Sequence, residues 1–242
     1  MNENALNNKI IWLTGAGKGI GAALARKLTR TGATLILSSS SSESLKKIMP
    51  EFAKYPKVFF LPFNLRSEEQ INRTFEKINL SLRKVDILIN NAGTGKFAPF
   101  VDLTVDDMNN MLDTNFKGLF ILTKHVLPGM LERKSGVIIN ILSVVLKKIF
   151  VGSSIYAASK AAILAMDRSL REEVRGDGIK IIDVFPGATE TEIWTERQRE
   201  KHGARMMQPE DVADAIVNVI NLALNDRLMV EEIVLRPQGG DL

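Results

Sequence analysis

Short apolar runs alternate with segments of helical composition along almost the whole chain. Seven of these runs have the length of buried strands, and they cover residues 9–13, 34–37, 58–61, 85–89, 136–142, 179–185 and 230–235. Parallel strands that are buried on both faces read as continuous apolar runs, so the alternation predicts one α/β domain over residues 1–242. We expect a doubly wound parallel sheet of about seven strands with helices on both faces.

Local signals mark the ends of the predicted helices. A glycine after a helix, a serine or threonine before one, and a proline in its first turn are the usual signals. We assign them to Gly32, to the serines at 38–42, to the capping box of Ser67 and Gln70 (helix to about residue 82), to Thr104 (helical stretch to about residue 131) and to Pro209.

Residues 188–207 break the alternation, because they are polar and show no clear periodicity. A long segment of this kind inside a compact domain is typical of a functional loop. We expect a mobile loop that covers the substrate.

Composition excludes several classes of protein. The chain has no cysteine, which excludes disulfides and thiolate chemistry, and its two histidines, His125 and His202, lie far apart. We therefore expect no metal site. No apolar run approaches the ~18 residues of a membrane span, and residues 1–8 lack the apolar core of a signal peptide. These patterns favour a cytoplasmic protein without a membrane partner.

The net charge of +4 comes from basic residues that are interleaved with acidic ones. This distribution indicates a solvated surface and argues against a nucleic-acid partner. Lys147 and Lys148 form a basic doublet. A solvated loop explains the doublet better than contact with an acidic substrate or carrier, although an acidic ligand is compatible with the charge.

Four glycines, Gly15, Gly17, Gly19 and Gly21, lie between the first predicted strand and the first predicted helix. Glycines permit a tight turn and close approach of the backbone to a diphosphate, and the helix N-terminus supplies free N–H groups. The strand–turn–helix context predicts a Rossmann fold with a dinucleotide site rather than a purely structural turn.

The residues after the second strand bear on the choice of nucleotide. An acidic residue about 20 positions after the glycine loop favours NAD, because it binds the ribose 2′-hydroxyl. Here Ser38, Ser39 and Ser40 occupy that place, the first acid is Glu43, and Lys18 adds a cation within the glycine loop. Hydroxyls and a cation suit a 2′-phosphate, so we expect NADP (NADPH) in preference to NAD.

Tyr156 and Lys160 are four residues apart in a segment rich in good helix formers. Residues at this spacing share one face of a helix, and a nearby cation lowers the pKa of a phenol toward the range useful for proton transfer. Ser143 follows a predicted strand, where parallel sheets bind ligands, so its hydroxyl can contact the same substrate oxygen. The Tyr-x-x-x-Lys spacing alone is common. Its position after a predicted strand and a glycine loop favours a catalytic pair over an ordinary helical face.

These motifs follow one another in the order of a known family. Its pattern is carried by Thr14-Gly15-x-x-x-Gly19-x-Gly21, Asn90-Asn91-Ala92-Gly93, Ser143, Tyr156-x-x-x-Lys160 and Pro186-Gly187. Over nearly the whole chain the sequence resembles the single-domain short-chain dehydrogenases/reductases, and most closely the 3-oxoacyl-acyl-carrier-protein reductase type. The resemblance implies a homo-oligomer, either a tetramer or a dimer.

The resemblance also implies residue roles. Tyr156 would donate the proton, Lys160 would bind the nicotinamide ribose and lower the Tyr156 pKa, Ser143 would hold the substrate oxygen, and Asn115 would support a proton relay. The nucleotide would be bound by the glycine loop with Ile20, by the adenine-site residues Asn64 and Leu65, by Asn91, Ala92 and Gly93, by Pro186 and Gly187, and by Thr191.

Three positions depart from the common pattern of the family: Asn64 replaces an aspartate, Leu142 a serine and Leu146 a glycine. They leave the chemistry intact and bear on loop shape and substrate choice. Phe97, Phe150 and Trp194 can form an apolar substrate wall, and ordinary core packing explains each of them equally well.

The leading hypothesis is an NADPH-dependent carbonyl reductase, with a 3-oxoacyl thioester as one candidate substrate. An NAD-linked dehydrogenase of a small or sugar-like alcohol is a second hypothesis. A non-catalytic dinucleotide-binding regulator is a third, and the presence of every proton-handling residue counts against it.

Overall fold

The computed structural model describes residues 6–242. The strands are β1 (Ile10–Thr14), β2 (Thr34–Ser38), β3 (Val58–Phe60), β4 (Ile87–Asn90), β5 (Gly136–Ile141), β6 (Ile179–Pro186) and β7 (Glu232–Leu235). The helices are α1 (Gly19–Leu28), α2 (Ser42–Phe52), α3 (Glu68–Leu82), α4 (Val105–Leu112), α5 (Gly118–Arg133), α6 (Ser154–Val174), α7 (Glu196–His202) and α8 (Pro209–Ala223). The first five residues, which the predicted domain and the signal-peptide argument included, lie outside the described residues.

All seven strands pair in parallel, in the order β3-β2-β1-β4-β5-β6-β7. The predicted doubly wound sheet in a single domain is therefore confirmed. The strand order reverses between β1 and β4, and a crevice opens at such a point beyond the carboxyl ends of the strands.

Two apolar cores cover the two faces of the sheet. On one face Ile11 and Leu13 of β1 pack in a cluster that includes residues of α1, α2 and α8. On the other face Trp12 packs with residues of α3, α5 and the end of α6. Alternate residues of one strand thus serve opposite cores, which explains why β1 reads as a continuous apolar run.

The helical stretch predicted after Thr104 contains a break. Thr104 and Asp107 form a capping box that opens α4, as expected from the threonine. Between α4 and α5, residues Asp113–Lys117 form a π-helical turn. A π-helical turn contains one residue more than an α-helical turn, and the polar and apolar pattern of the sequence does not predict it. Turns of this kind are frequent at functional sites.

Residues 188–207 contain secondary structure that the sequence did not predict. The segment contains α7, a short helix opened by a capping box between Thr195 and Gln198, and a bridge joins Thr189 to Met207. Helix α7 is polar throughout and has no buried residue. A helix without an apolar face leaves no period in the sequence, which is why it was not predicted.

A buried chain of polar side chains crosses from the sheet to α6. Asn90 donates to Asn140 (2.8 Å), Asn140 donates to Asp167 (2.7 Å), and Arg171 donates to Asp183 (2.8 Å). Burial, followed by contact with Asp183, raises the pKa of Asp167 to about 9. Asp167 therefore carries a proton at neutral pH and shares it with the Asp183 carboxylate.

Candidate active site

A cavity of about 1200 Å³ lies beyond the carboxyl ends of the strands, at the point where the strand order reverses. Its length runs from the residues after β2, past the glycine loop, to Ser143 and Tyr156. Most of the predicted site residues line it: Gly15, Lys18, Gly19, Ile20, Ser39, Ser40, Asn64, Leu65, Asn91, Ala92, Gly93, Ser143, Tyr156, Lys160, Pro186, Gly187 and Thr191. The lining does not include Gly17, Gly21 or Asn115.

The glycine loop is too tightly packed for side chains at two positions. Gly15 has a positive φ of 66°, and a Cβ there would lie 2.8 Å from the Cα of Ala92. A Cβ on Gly21 would lie 2.1 Å from the carbonyl oxygen of Gly15. The Asn91 amide donates to the carbonyls of Thr14 and Gly15 and so fixes the loop to the end of β4. The result is bare backbone at the N-terminus of α1, the arrangement that a diphosphate needs.

Lys18 and the serines after β2 line the same end of the cavity. Lys18 is the exposed N-cap residue of α1. The Ser39 hydroxyl lies 3.1 Å from that of Ser44, and a Cβ on Gly17 would lie 2.3 Å from the Ser44 Oγ. Gly17 is therefore required by the approach of α2, which brings hydroxyl groups to the glycine loop.

Asn64 and Leu65 form the wall predicted for the adenine. The Asn64 N–H donates to Oε1 of Gln70 (2.9 Å), and the Asn64 Oδ1 accepts from the Arg66 N–H (3.0 Å). Ser67 caps α3 as predicted, but Gln70 bonds Asn64 instead of closing the capping box. The amide oxygen of Asn64 keeps a second lone pair for a ligand.

Tyr156 and Lys160 lie on the buried face of α6, one turn apart. The Lys160 Nζ lies 5.9 Å from the centre of the Tyr156 ring and donates to the carbonyl of Ile141 at 2.6 Å. Ser143 follows the end of β5 and interacts with the Tyr156 hydroxyl. The three side chains predicted to act together therefore meet at one end of the cavity.

The pKa of Tyr156 differs from the expectation. Burial raises it to about 12, and the interaction with Ser143 lowers it only in part. Burial also lowers the pKa of Lys160 to about 8. Lys160 directs its ammonium to the Ile141 carbonyl, so in this structure it does not produce the lowered phenol pKa that the pairing suggested. At neutral pH the phenol keeps its proton and can act as an acid.

Asn115 lies within the π-helical turn and is almost fully buried. Its amide oxygen accepts from the Thr94 N–H (2.8 Å), and its amide nitrogen donates to the Thr94 carbonyl (2.8 Å) and to Ser159 (2.9 Å). A Cβ on Gly93 would lie 3.4 Å from both the Asn115 Oδ1 and the Lys160 Nζ. Asn115 thus fixes the strand-end backbone beside Lys160.

The wall of the cavity opposite the glycine loop is formed by Thr191 and the Pro186-Gly187 turn. A Cβ on Gly19 would lie 3.0 Å from the Thr191 Cγ2, so the threonine faces the glycine loop across the cavity. The Gly187 N–H donates to the Leu235 carbonyl at 2.7 Å, which holds the turn against β7.

The sequence profile of the short chain dehydrogenases matches residues 9–202. This chain belongs to the short-chain dehydrogenase/reductase family. It is accordingly an NAD(P)-dependent oxidoreductase that acts on small molecules. Within residues 6–242 every helix is too short or too polar to cross a membrane.

Known proteins of the family resemble the chain over nearly its full length. A sepiapterin reductase of Chlorobaculum tepidum is 36% identical, and the match covers 96% of this chain and 98% of that protein. The closed form of a serine dehydrogenase complexed with NADP+ has a TM-score of 0.88 at 27% identity and covers 96% of each chain. An alcohol dehydrogenase of Thermococcus sibiricus complexed with 5-hydroxy-NADP has a TM-score of 0.85 at 25% identity, covering 96% of this chain and 97% of that one.

The substrate end of this short-chain dehydrogenase contains more residues than the sequence indicated. Phe97, Phe150 and Trp194 all line the cavity; the Phe97 ring lies 5.2 Å from that of Tyr156 and 6.3 Å from that of Trp194. Residues that the sequence did not single out also line it: Gly95, Glu192, Gln198, His202, Asp241 and Leu242. Of these residues, only Gly95 could have been recognised from the sequence, because it closely follows Asn91-Ala92-Gly93. A Cβ on Gly95 would lie 3.2 Å from the Tyr156 ring.

Proposed function

We propose that this protein is an NADPH-dependent carbonyl reductase that converts a ketone to a secondary alcohol. The observation that supports it most directly is the convergence of Ser143, Tyr156 and Lys160 at one end of a cavity whose other end is a bare glycine loop. The length of the cavity and the missing side chains of Gly15 and Gly21 fit an extended dinucleotide.

The dinucleotide, when bound, supplies the hydride for the carbonyl carbon. Tyr156 donates its phenolic proton to the carbonyl oxygen, which its raised pKa allows because the hydroxyl remains protonated at neutral pH. Ser143 donates a hydrogen bond to the same oxygen and so orients it.

Lys160 and Asn115 also suit the return of a proton to Tyr156. A pKa of about 8 lets Lys160 exchange its proton near neutral pH. The hydrogen bonds of Asn115 to both backbone groups of Thr94 keep the neighbouring backbone in place. In this proposal Tyr156 and Ser143 touch the substrate, and Asn115 acts by positioning its neighbours.

The preference for NADPH rests on charge. Lys18 and the hydroxyls of Ser39 and Ser40 line the cavity where the acid of an NAD site would stand. A 2′-phosphate would gain a charge-assisted bond from Lys18 there. The serine dehydrogenase with a similar fold, which was solved with NADP+, supports the same choice.

The substrate is proposed as a ketone, and a 3-oxoacyl thioester is one member of that class. The relative from Chlorobaculum tepidum is named a sepiapterin reductase, so reductase chemistry on other carbonyl groups is equally consistent with the likeness. The two structural neighbours, a serine dehydrogenase and an alcohol dehydrogenase, favour a second candidate, the oxidation of a secondary alcohol by the same residues. A cytoplasmic homo-oligomer and a substrate loop at 188–207 that moves during turnover belong to the same proposal.

The decisive experiment is a panel of ketones, 3-oxoacyl thioesters and secondary alcohols, each assayed with NADPH and NADH or their oxidised forms. We expect ketone reduction with NADPH to give the highest kcat/KM. Tyr156→Phe should lower kcat on the order of a thousandfold and change the NADPH Kd by less than about threefold. Tyr55→Phe, at the other tyrosine of the chain, is the matched control.

Full turnover by Tyr156→Phe would refute the assigned role. Dinucleotide binding without turnover on any of the three substrate classes would favour a regulator instead.

A further inference from the structure

The segment that follows β7 reaches the substrate end of the cavity. Asp241 and Leu242 both line the cavity, as Phe150 does. The side chain of Asp241 is only 6% exposed, although it lies close to the end of the described chain. A carboxylate buried to this extent requires charged or hydrogen-bonding partners.

The partners of Asp241 come from three separate segments. The Lys148 Nζ, in the loop between Ser143 and Tyr156, lies 3.3 Å from the Oδ2 of Asp241. The Arg236 guanidinium, in the segment after β7, pairs with the same oxygen. The Arg205 guanidinium, in the 188–207 segment, donates to the Asp241 carbonyl at 3.4 Å. The carboxylate of Asp241 therefore joins the loop of Lys148 to the segment after β7, and its main-chain carbonyl adds a contact with the 188–207 segment.

The same residue influences the apolar wall. The Lys148 Nζ that pairs with Asp241 also lies 5.5 Å from the centre of the Phe150 ring, and Phe150 lines the cavity. Lys147 is engaged separately by Glu232 at 2.5 Å, so the basic doublet is paired within the chain rather than offered to a ligand. Without the Asp241 carboxylate, the Lys148 ammonium and the Arg236 guanidinium, which share its Oδ2, would face each other unpaired, and their repulsion would separate the two segments.

We propose that Asp241 is a positioning residue that holds the loop of Lys148 against the segment after β7 and so sets the shape of the substrate pocket. It acts through Lys148 and does not handle a proton. This inference rests on the proposed carbonyl reductase function for its kinetic test, so the experiment also includes a readout that does not depend on turnover.

The kinetic test compares Asp241→Ala with the wild-type protein on the best ketone of the panel. We expect KM to rise about tenfold or more because the pocket loses its fixed shape, while kcat at saturation and the NADPH Kd change by less than about twofold. Asp241→Glu should restore most of the wild-type KM. Lys148→Met should raise KM as well, and the double variant should be no worse than Asp241→Ala, because both changes remove the same contact.

The second readout is amide hydrogen exchange of the cofactor-free protein. Asp241→Ala should accelerate exchange in residues 145–152 and leave the glycine loop unchanged. Residues 203–207 should change less, because Arg205 bonds the main-chain carbonyl that the variant keeps. The matched control is Glu51→Gln, which removes the exposed ion pair with Arg26. A fall in the unfolding midpoint together with changes in both kcat and KM would overturn the positioning role. So would unchanged exchange in residues 145–152, whether or not the protein reduces ketones.

Discussion

Lys160 offers a quantitative test of the electrostatics of the site. Burial lowers its pKa from 10.5 to about 8 in the folded, cofactor-free protein. In the unfolded chain the same ammonium keeps its proton up to a pH of about 10.5. The two states therefore bind different numbers of protons between these values, and the free energy of unfolding must change with pH across that interval.

The sign follows from which state holds more protons. Between pH 8 and 10.5 the unfolded chain carries the additional proton, so the contribution of Lys160 to stability rises as the pH rises. Below pH 8 the cost of burying the ammonium is present in full. The interval from about 8 to 10.5, at about 1.4 kcal/mol per pH unit, corresponds to roughly 3 kcal/mol.

Lys160→Met removes the titration and keeps the apolar stem. Urea unfolding of the cofactor-free wild-type and variant proteins, from pH 7 to pH 11, gives the difference between their free energies of unfolding. We expect the free energy of unfolding of the wild type to rise by about 3 kcal/mol relative to that of the variant over this range, because all other groups titrate in both proteins. Lys46→Met, which removes an exposed lysine, is the matched control.

If the difference in free energy of unfolding between the wild type and Lys160→Met does not change with pH, the ammonium is not desolvated in the folded chain. The proposed exchange of its proton near neutral pH would then lose its basis. A difference that falls with pH would mean that the folded state binds the proton more tightly, as an ion pair would.

Three further predictions concern the rest of the site and the core. Lys18→Glu should weaken NADPH binding about ten- to hundredfold in a fluorescence titration and change NADH binding by less than about threefold; equal losses would exclude a contact with the 2′-phosphate. The free energy of unfolding of Asp167→Asn should rise relative to that of the wild type between about pH 4 and about pH 9. The reason is that the folded wild type retains a proton that its unfolded chain releases. Calorimetry at several pH values measures this, and unfolding midpoints of the two proteins that changed in parallel would contradict it. Gly21→Ala should lower both the unfolding midpoint and dinucleotide affinity, because its methyl group would overlap the Gly15 carbonyl, whereas Gly176→Ala, with open space around it, should alter neither.

The centre of the sheet could be predicted from the sequence because β1, β4 and β5 are buried on both faces. Each of these strands contains a single polar residue, Thr14, Asn90 or Asn140, so their apolar runs stand out. The glycine loop was equally easy to predict, since Gly15 has a positive φ and Gly21 packs against the Gly15 carbonyl. Ser143, Tyr156 and Lys160 are close in sequence, and one strand end and one helix bring them together.

The remainder of the site depends on contacts between distant parts of the chain. Asp241 reaches the cavity only because β7 pairs with β6 and the following segment turns back toward Lys148. Asn115 was identified by resemblance alone, since nothing in the periodicity around it reveals a π-turn. The prediction that the pKa of Tyr156 is lowered was wrong for a similar reason. The helical spacing places Lys160 nearby, but the orientation of its ammonium depends on the Ile141 carbonyl.

The π-helical turn at Asp113–Lys117 has a consequence for how this chain can change in length. Deleting one residue there would give a regular α-helix, and α5 would stay close to its present orientation because the wider turn already absorbs one additional residue. The backbone around Asn115 would shift, and its hydrogen bonds to Thr94 and Ser159 would be lost. Insertions and deletions should therefore be tolerated in surface loops but not here, where ideal helical geometry and a working site exclude each other.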